Sequence, residues 1–164
     1  MKLISDKIPR IIKNRKRLEK ILNVKITNAG KEVTITGTPE EEYEASKVID
    51  ALGIGFPFSV AISIKEAENL FEIINIKEHT KKHNLESVRG RIIGKNGKAL
   101  ATLSKLTNCH IEIKDNHVGV IGSEEEIEPA IEAIIQIIQG SKHANVYKGL
   151  EKMEKGQVAD LGLK

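Results

Sequence analysis

The chain has 164 residues, enough for one large domain or two small ones, and its apolar content of 40% is sufficient for a core. Three Phe, two Tyr and no Trp make that core aliphatic, and they leave little aromatic surface for a module that binds bases mainly by stacking. Cys109 is the only cysteine, which excludes a disulfide within the chain and argues against a thiolate metal site.

Nothing in the sequence predicts a membrane or export segment. The longest mostly apolar run, residues 54–64, is too short and too polar to cross a bilayer. Residues 1–6 lack the long apolar stretch of a secretory signal. We therefore expect a cytoplasmic protein with no membrane partner.

Two landmarks recur along the chain and indicate an internal repeat. Arg10-Ile11-Ile12 returns 81 residues later as Arg91-Ile92-Ile93. A glycine, a hydroxyl residue and a run of glutamates recur with an offset of 85, at Gly37 and at Gly122. The first copy is thus four residues shorter between its landmarks.

The first copy has the pattern strand, helix, turn, helix, strand, strand, helix. Its closing helix begins with a capping-box pattern, Thr38 with Glu41, and has Pro39 at the first helical position. Residues 53–57, rich in Gly and Pro, end that helix. The expected elements are strands at residues 2–5, 24–27 and 33–36, a basic helix at 16–22, and a closing helix that buries Ala45, Val48, Ile49 and Leu52.

The second copy repeats this order and adds a tail. Ser123 and Glu126 form a second capping-box pattern, and Asp115-Asn116 marks the turn between two strands. The expected elements are strands at 70–76, 110–114 and 118–121, a helix at 98–106, a closing helix that buries Ile127, Ala130, Ile131, Ile134, Ile135 and Ile138, and a tail helix around 146–153.

The most informative stretch is Gly94-Lys95-Asn96-Gly97, which follows the apolar pair Ile92-Ile93 and precedes a helix with Leu100, Leu103 and Leu106. Two glycines allow a sharp turn with no side chain projecting at either position. Amide groups at the start of the next helix carry partial positive charge, so a polyanion could lie against the turn.

Two other interpretations of this turn are weaker. A glycine pair that serves only backbone geometry is common in isolation, but here the whole unit around the turn supports a binding role. A nucleotide-binding phosphate loop needs four residues between its glycines and then Lys-Ser or Lys-Thr. Gly90 and Gly94 have three residues between them, and Asn96 stands where the hydroxyl should be.

The second copy resembles a KH domain of the βααββα kind, an RNA-binding module whose GxxG loop contacts about four backbone nucleotides. The resemblance implies that Gly94 and Gly97 admit the nucleic-acid backbone and that Lys95 and Asn96 face phosphate or sugar. It also implies a base groove floored by Ile93, Leu100, Leu103 and Ile113, some of which belong to the core, and flanking phosphate contacts from Arg89, Arg91 and Lys98.

The first copy departs from the KH pattern. Ile12-Lys13-Asn14-Arg15 stands where the glycine turn is expected, and branched Ile12 and long Arg15 should prevent a tight turn. We expect this copy to keep the fold and to lose the clamp, that is, the contact of the GxxG loop with a nucleic-acid backbone. Its basic run, residues 10–20, is consistent with phosphate contacts, with a docked protein partner, or with a solvated helix.

Charge is distributed unevenly in the second copy. Residues 77–98 hold seven Lys or Arg against Glu78 and Glu86. The closing helices begin with three glutamates each, which suits the positive end of a helix dipole. This polarity would steer RNA to one face.

The tail, residues 140–151 with His143 and Val146-Tyr147, carries a second resemblance. Together with the altered first copy and the Gly-Arg-Ile-Ile-Gly-Lys of the second, it is similar to the archaeal Pno/Dim family of ribosome-assembly proteins. That resemblance implies binding of the 3′ end of small-subunit rRNA, partnership with the endonuclease that trims precursor RNA there, and contact with the alpha subunit of translation initiation factor two. His143 and Tyr147 are expected to pack the tail, with contact to RNA as the alternative.

No catalytic or metal-binding set is visible, so we expect neither an enzyme nor a cofactor. His79 and His83 suit one helix face, but Lys81 and Lys82 between them indicate a basic, solvated segment. Cys109 is expected to be a small buried group rather than a nucleophile.

The sequence therefore predicts an α+β protein of two tandem KH-like (type I, βααββα) domains packed together, residues 1–56 without the glycine turn and residues 57–164 with it. The predicted function is RNA binding in small-subunit assembly. Two alternatives are a KH protein of RNA decay or translational control, and a protein–protein adaptor whose turn is vestigial.

Overall fold

The computed structural model describes residues 1–160, with the side chains of residues 1–156. The chain forms two compact units, Met1–Phe71 and Glu72–Lys164, and each mixes helices with one three-stranded sheet. The last four residues of the expected second domain, 161–164, lie outside the described part. Within residues 1–160, none of the helices is both long and apolar enough to span a bilayer.

The first unit has the order βααββα followed by one more helix. Its elements are β1 (Lys2–Ile4), α1 (Ile8–Lys13), α2 (Arg15–Leu22), β2 (Lys25–Ala29), β3 (Glu32–Thr36), α3 (Pro39–Ile54) and α4 (Phe58–Glu66). The central strand β3 pairs antiparallel with both neighbours, with Leu3 opposite Val33 and Ile26 opposite Ile35. Ile26, Val33 and Ile35 are buried, because alternate residues of these strands face the helices.

The second unit repeats this order. Its elements are β4 (Leu70–Asn75), α5 (Leu85–Ile93), α6 (Lys98–Thr107), β5 (His110–Lys114), β6 (His117–Gly122), α7 (Glu124–Ile138) and α8 (His143–Asp160), with 3-10 turns at Ile76–Glu78 and Lys95–Gly97. The strand order is β4-β6-β5, the counterpart of β1-β3-β2. The predicted α+β class and the βααββα order are confirmed in both units.

An offset of 85 relates the two units from α2 onward. Pairs of buried residues at that spacing include Leu18 with Leu103, Ile26 with Ile111, Val33 with Val118, Ala45 with Ala130, and Ile49 with Ile134. Left-handed backbone recurs in the same way, since Asn23 and Asn108 both end the second helix of their unit with a positive φ. The repeat seen in the sequence is thus a repeat of buried positions and of turns.

The helix α4 was not predicted from the sequence. It begins at Phe58, 85 residues before the first residue of α8, so it is the counterpart of the tail helix. It packs against α3. Phe56 meets Phe71 edge to face at 6.0 Å; Phe71 lies in β4 and is the last residue of the first unit, since the boundary falls inside that strand. The boundary between the two compact units, after Phe71, therefore differs from the expected boundary at residue 56, because α4 and the residues that follow it belong to the first unit.

The two predicted capping boxes have different outcomes. At Thr38 the box forms, because the hydroxyl accepts from the Glu41 N–H and the Glu41 carboxylate accepts from the Thr38 N–H. At Ser123 the prediction was wrong. The Ser123 hydroxyl donates to the Glu126 carboxylate at 2.9 Å, and the Glu126 N–H bonds to the Ser123 carbonyl instead.

A repeated arginine fastens the end of the closing helix in each unit. The Arg10 guanidinium donates to the Leu52 and Phe56 carbonyls at 2.7 and 2.6 Å. The Arg91 guanidinium donates to the Ile137 and Ser141 carbonyls at 2.6 and 2.7 Å. Carbonyls at a helix C-terminus lack intrahelical donors, and the planar fork of arginine supplies two. The first residue of the repeated Arg-Ile-Ile landmark thus has the same structural contact in both units.

We predict that Arg91→Lys destabilises the second unit, because an ammonium keeps the charge but cannot reach both carbonyls as the fork does. The expected loss is about 1.5–3 kcal/mol in the free energy of unfolding. The chain has no Trp and two Tyr, one in each unit, so urea unfolding followed by Tyr147 fluorescence in a Tyr43→Phe background reports the second unit.

The control is Lys105→Arg, the reverse exchange at an exposed lysine of α6 in the second unit, which should change stability by less than about 0.5 kcal/mol. An unchanged unfolding midpoint for Arg91→Lys would show that its two hydrogen bonds contribute nothing.

Candidate nucleic-acid interface

The turn between α5 and α6 depends on Gly94 for its shape. Gly94 has φ 74° and ψ 176°, a conformation that residues with a Cβ rarely adopt. A Cβ added there would lie 2.5 Å from the Ala99 Cβ and 2.8 Å from the Ala99 nitrogen. Gly94 is therefore required on the inner side of the turn, where the first residues of α6 pack against the end of α5.

The outer side of the turn is open. Asn96 and Gly97 both have left-handed backbone, with φ of 55° and 73°. A Cβ added at Gly97 would meet nothing within 4 Å. The glycine at this position keeps an exposed surface clear of side chains, as close approach of another backbone requires.

The turn presents uncommitted donors. Its Gly97 N–H bonds to the Gly94 carbonyl at 3.3 Å. Within residues 1–156, the N–H groups of Lys95 and Asn96 have no acceptor, and the exposed side chains of Lys95, Asn96 and Lys98 form no hydrogen bond or ion pair. These groups lie at the N-terminus of the ten-residue helix α6, the positive end of its dipole. The arrangement suits an anion such as a phosphate.

The predicted aliphatic floor divides into surface and core. Ile93 is 36% exposed beside the turn. Leu100 and Ile113 are half-buried and pack against the core with one edge accessible. Leu103 is 0% exposed, so its predicted place in the groove is corrected: it is a core residue. A three-residue spacing in a helix does not show which leucines point inward.

The predicted flanking arginines are tied to the protein. The Arg91 guanidinium donates to two carbonyls, one in the last turn of α7 and one just after that helix, so its expected role as a phosphate contact is corrected to a structural one. The Arg89 guanidinium donates to the Asn116 side-chain oxygen at 2.6 Å, which anchors it to the β5–β6 turn. Lys98 remains an exposed cation at the turn.

The tail helix packs on the second unit beside the turn. The His143 Nε2 lies 2.7 Å from the Arg91 carbonyl, so this nitrogen donates, and the His143 and Tyr147 rings meet at 6.0 Å. Val146 and Leu150 are buried in the core of the unit. Burial also raises the pKa of the Tyr147 hydroxyl. Packing, one of the two roles expected for His143 and Tyr147, is what the structure shows.

Cys109 is buried, as expected. The pKa of its thiol is raised to about 11, chiefly by burial; a hydrogen bond with Thr107 opposes this effect, and the nearby Glu126 charge adds to it. The thiol is thus protonated at neutral pH. No group of three or more His, Cys, Asp or Glu side chains is placed to hold a metal in the described part of the chain.

The corresponding place in the first unit has no turn. Helix α1 ends at Lys13 and α2 begins at Arg15, with only Asn14 between them, at φ −106° and ψ 9°. The offset between units is 81 up to the pair Ile12 and Ile93, and 85 from Leu18 and Leu103 onward. The expectation that residues 12–15 occupy the place of the turn is therefore corrected: four residues are missing there.

Comparison with known proteins places the second unit in a family. A family model for the second KH domain of Pno1, described as "Eukaryotic type KH-domain (KH-domain type I)", matches residues 70–155, more than half of the chain. The chain belongs to this family. The match contains the whole glycine turn and most of α8.

Relatives of this Pno1-type KH protein include a KH domain-containing protein and a pre-rRNA-processing protein. A KH domain-containing protein of Methanocaldococcus jannaschii is 32% identical over 145 residues, covering 84% of this chain and 64% of that protein. The pre-rRNA-processing protein pno1 of Aspergillus oryzae is 30% identical over 109 residues, covering 64% of this chain and 42% of that protein. The chain thus spans less than two thirds of the length of either relative.

Solved structures of similar fold come from Pyrococcus horikoshii. One is Dim2p, with TM-score 0.85 and 30% identity, covering 93% of this chain and 98% of that one. The other is a complex of a/eIF2alpha, aDim2p and rRNA, with TM-score 0.86 and 29% identity, covering 95% of this chain and 94% of that one.

We predict that Gly94→Ala destabilises this Pno1-type KH protein by about 2–4 kcal/mol, because it adds both backbone strain and a clash with Ala99. Gly90→Ala is the matched control: Gly90 lies inside α5, and an added Cβ there meets nothing within 4 Å. That control should be stabilising by up to about 1 kcal/mol. Equal unfolding midpoints for the two variants in urea would contradict this account of the turn.

Proposed function

We propose that this protein binds single-stranded RNA, the 3′ end of small-subunit rRNA, through the turn Gly94–Gly97 and acts without catalysis in assembly of the small ribosomal subunit. The observation that carries the proposal is the open side of that turn. Two N–H groups without acceptors in the described residues, three uncommitted polar or basic side chains and the clear surface at Gly97 meet there. The names of the Aspergillus and Pyrococcus relatives support rRNA as the ligand.

The geometry suggests how a strand is held. Phosphate oxygens accept hydrogen bonds from the Lys95 and Asn96 N–H groups, and Lys95 and Lys98 add charge. Bases then lie over the accessible edges of Ile93, Leu100 and Ile113. Since few aromatic residues are present, contact with aliphatic surface replaces stacking as the main base contact. A KH loop spans about four nucleotides, so the bound segment is short.

The first unit serves, in this proposal, as a KH-like domain that has lost its clamp, so that the chain is a tandem pair. Its element order and strand order match those of the second unit, and the four residues of the turn have no counterpart. Its helix α2 keeps basic residues on the surface, but Arg15 pairs with Glu19 and the Arg17 guanidinium lies 4.3 Å from the centre of the Phe58 ring. Part of its charge is thus already engaged.

The partners we propose are the endonuclease that trims the precursor rRNA and the alpha subunit of translation initiation factor two. The complex known for the Pyrococcus protein supports the second partner. In a cytoplasmic setting, placement of the RNA end by this protein would let the endonuclease act at a fixed position.

We predict that the double variant Lys95→Asp with Asn96→Asp loses RNA binding and keeps its fold, because both side chains are exposed and bond to nothing in residues 1–156. Affinity for a single-stranded 3′-end rRNA oligonucleotide should fall by at least about 100-fold, since repulsion replaces several charge-assisted contacts. Fluorescence anisotropy measures the affinity, and circular dichroism checks the fold.

The matched control makes the same change in charge on the first unit, at the exposed residues Lys13 and Asn28, both to Asp. It should lower affinity by less than about fivefold, through long-range charge alone. If the two double variants bind equally well, the turn is not the site and the adaptor hypothesis is favoured.

Salt dependence gives an independent prediction. A clamp that neutralises three or four phosphates predicts a slope of about −2 to −3 for the logarithm of the association constant against the logarithm of salt concentration. Anisotropy titrations between low and moderate potassium chloride measure this slope. A slope near zero would contradict a phosphate clamp.

A further inference from the structure

The segment between β4 and α5 is the second feature that distinguishes the two units. Three residues, 5–7, join β1 to α1, whereas nine residues, 76–84, join β4 to α5. The longer segment contains Lys77, Lys81 and Lys82 with two histidines, against the single acid Glu78. The unit with the glycine turn is therefore longer than its counterpart at two places, and both of them carry lysines.

The segment has a defined conformation. Ile76 is fully buried and its N–H bonds to the Asn116 carbonyl at 2.9 Å, which fixes the start. The Thr80 hydroxyl accepts from the Lys82 N–H, and the Asn84 side chain accepts from the Ser87 N–H to begin α5. Lys81 and Lys82 are thus presented from an ordered backbone.

An open depression of about 370 Å³ lies on this segment, lined by His79, Thr80, Lys81, Lys82 and Gln139. Its lining has no carboxylate and no large apolar side chain. Lys81 and Lys82 are exposed, and they form no ion pair with any carboxylate in residues 1–156. A depression lined by cations and neutral polar groups suits a phosphate better than a protein side chain.

The depression and the glycine turn are connected through α5 and the residues after α7. Gln139 follows the last residue of α7, between the two carbonyls, of Ile137 and Ser141, that hold Arg91. Arg91 is in the last turn of α5, three residues before Gly94. The segment and the turn flank one nine-residue helix, α5, whose length is about 14 Å. An RNA that fills the clamp and extends beyond it can reach the depression.

We propose that residues 79–82 form a second phosphate-binding site, which holds RNA outside the nucleotides bound by the glycine turn. This inference rests on the proposed RNA-binding function and extends its footprint. The turn fixes a short segment, and Lys81 and Lys82 bind the backbone of the flanking nucleotides without reading sequence, since they contact phosphates alone.

The test compares two RNA lengths in the full chain. The variant is Lys81→Gln with Lys82→Gln, and the control is Lys105→Gln with Lys152→Gln, two exposed lysines of α6 and α8. Single-stranded RNAs of about 5 and about 15 nucleotides distinguish the clamp alone from the clamp with its flank. Anisotropy gives affinity and salt slope for each.

The expected result is a loss that depends on length. For the long RNA, the variant should bind about tenfold more weakly at 0.15 M salt, and its salt slope should shrink by about 1.4, the value for two phosphates on a single strand. For the short RNA its affinity should stay within about twofold of the unaltered chain, since the short strand ends before the depression. The control should behave like the unaltered chain with both RNAs.

Other outcomes overturn the inference in distinct ways. An equal loss on both RNAs would mean that the lysines act by overall charge. No loss on either RNA, with normal binding by the unaltered chain, would remove RNA as the ligand of this site and favour an acidic protein surface. If the unaltered chain bound neither RNA, the proposed function itself would have failed.

Discussion

The turn between α5 and α6 must be tight on one side and open on the other. On the inner side, the Gly94 backbone lies so close to Ala99 that no Cβ fits. On the outer side, Gly97 faces open space, and the Lys95 and Asn96 N–H groups have no acceptor among the described residues. Close packing inside fixes the direction of these donors, and the open surface outside lets an anion reach them. The proposed contact with a nucleic-acid backbone depends on both conditions.

The two units show that the same scaffold forms with and without the glycine turn. In the first unit a single residue, Asn14, joins α1 to α2. The sheet, the closing helix α3 and the hydrogen bonds of Arg10 to the end of that helix are all present. In the second unit the same join consists of four residues, 94–97, and forms the turn. The hydrogen bonds of Arg10 and Arg91 are nearly identical in length and target, so the arginine contact is the same with and without the turn. The side chains proposed to bind RNA, those of Lys95, Asn96 and Lys98, are thus separate from the arginine that supports the fold.

Much of the fold could be predicted from the sequence, because its signals are local. Alternating apolar residues predicted the strands, and apolar residues spaced three or four apart predicted α6 and α7. The capping box at Thr38 predicted the start of α3. These local signals did not predict the helix α4. Pro57 and the glycines that precede it indicate an interruption of helical structure at the place where α4 begins.

The site was predicted in position but only partly in composition. Lys95, Asn96 and Lys98 lie at the surface where the pattern placed them, and the two glycines shape the turn as expected. Arg91 and Leu103 do not act there, because sequence shows the charge of an arginine and the spacing of a leucine but not the carbonyls or core that they reach across the fold. The Arg91 partners, Ile137 and Ser141, are 46 and 50 residues away. A signal was nevertheless present, since Arg10 and Arg91 repeat although the glycine turn does not.

The central claim is that main-chain N–H groups of the turn contact the RNA directly. Titration of the ¹⁵N-labelled protein with a short single-stranded RNA from the 3′ end of small-subunit rRNA, followed by amide chemical shifts, tests this claim at each residue. The account predicts that the largest shifts occur at the amides of Lys95, Asn96 and Gly97, with those around Asn14 unchanged. Unmoved amides at the turn, with the shifts concentrated in α1 and α2, would contradict it.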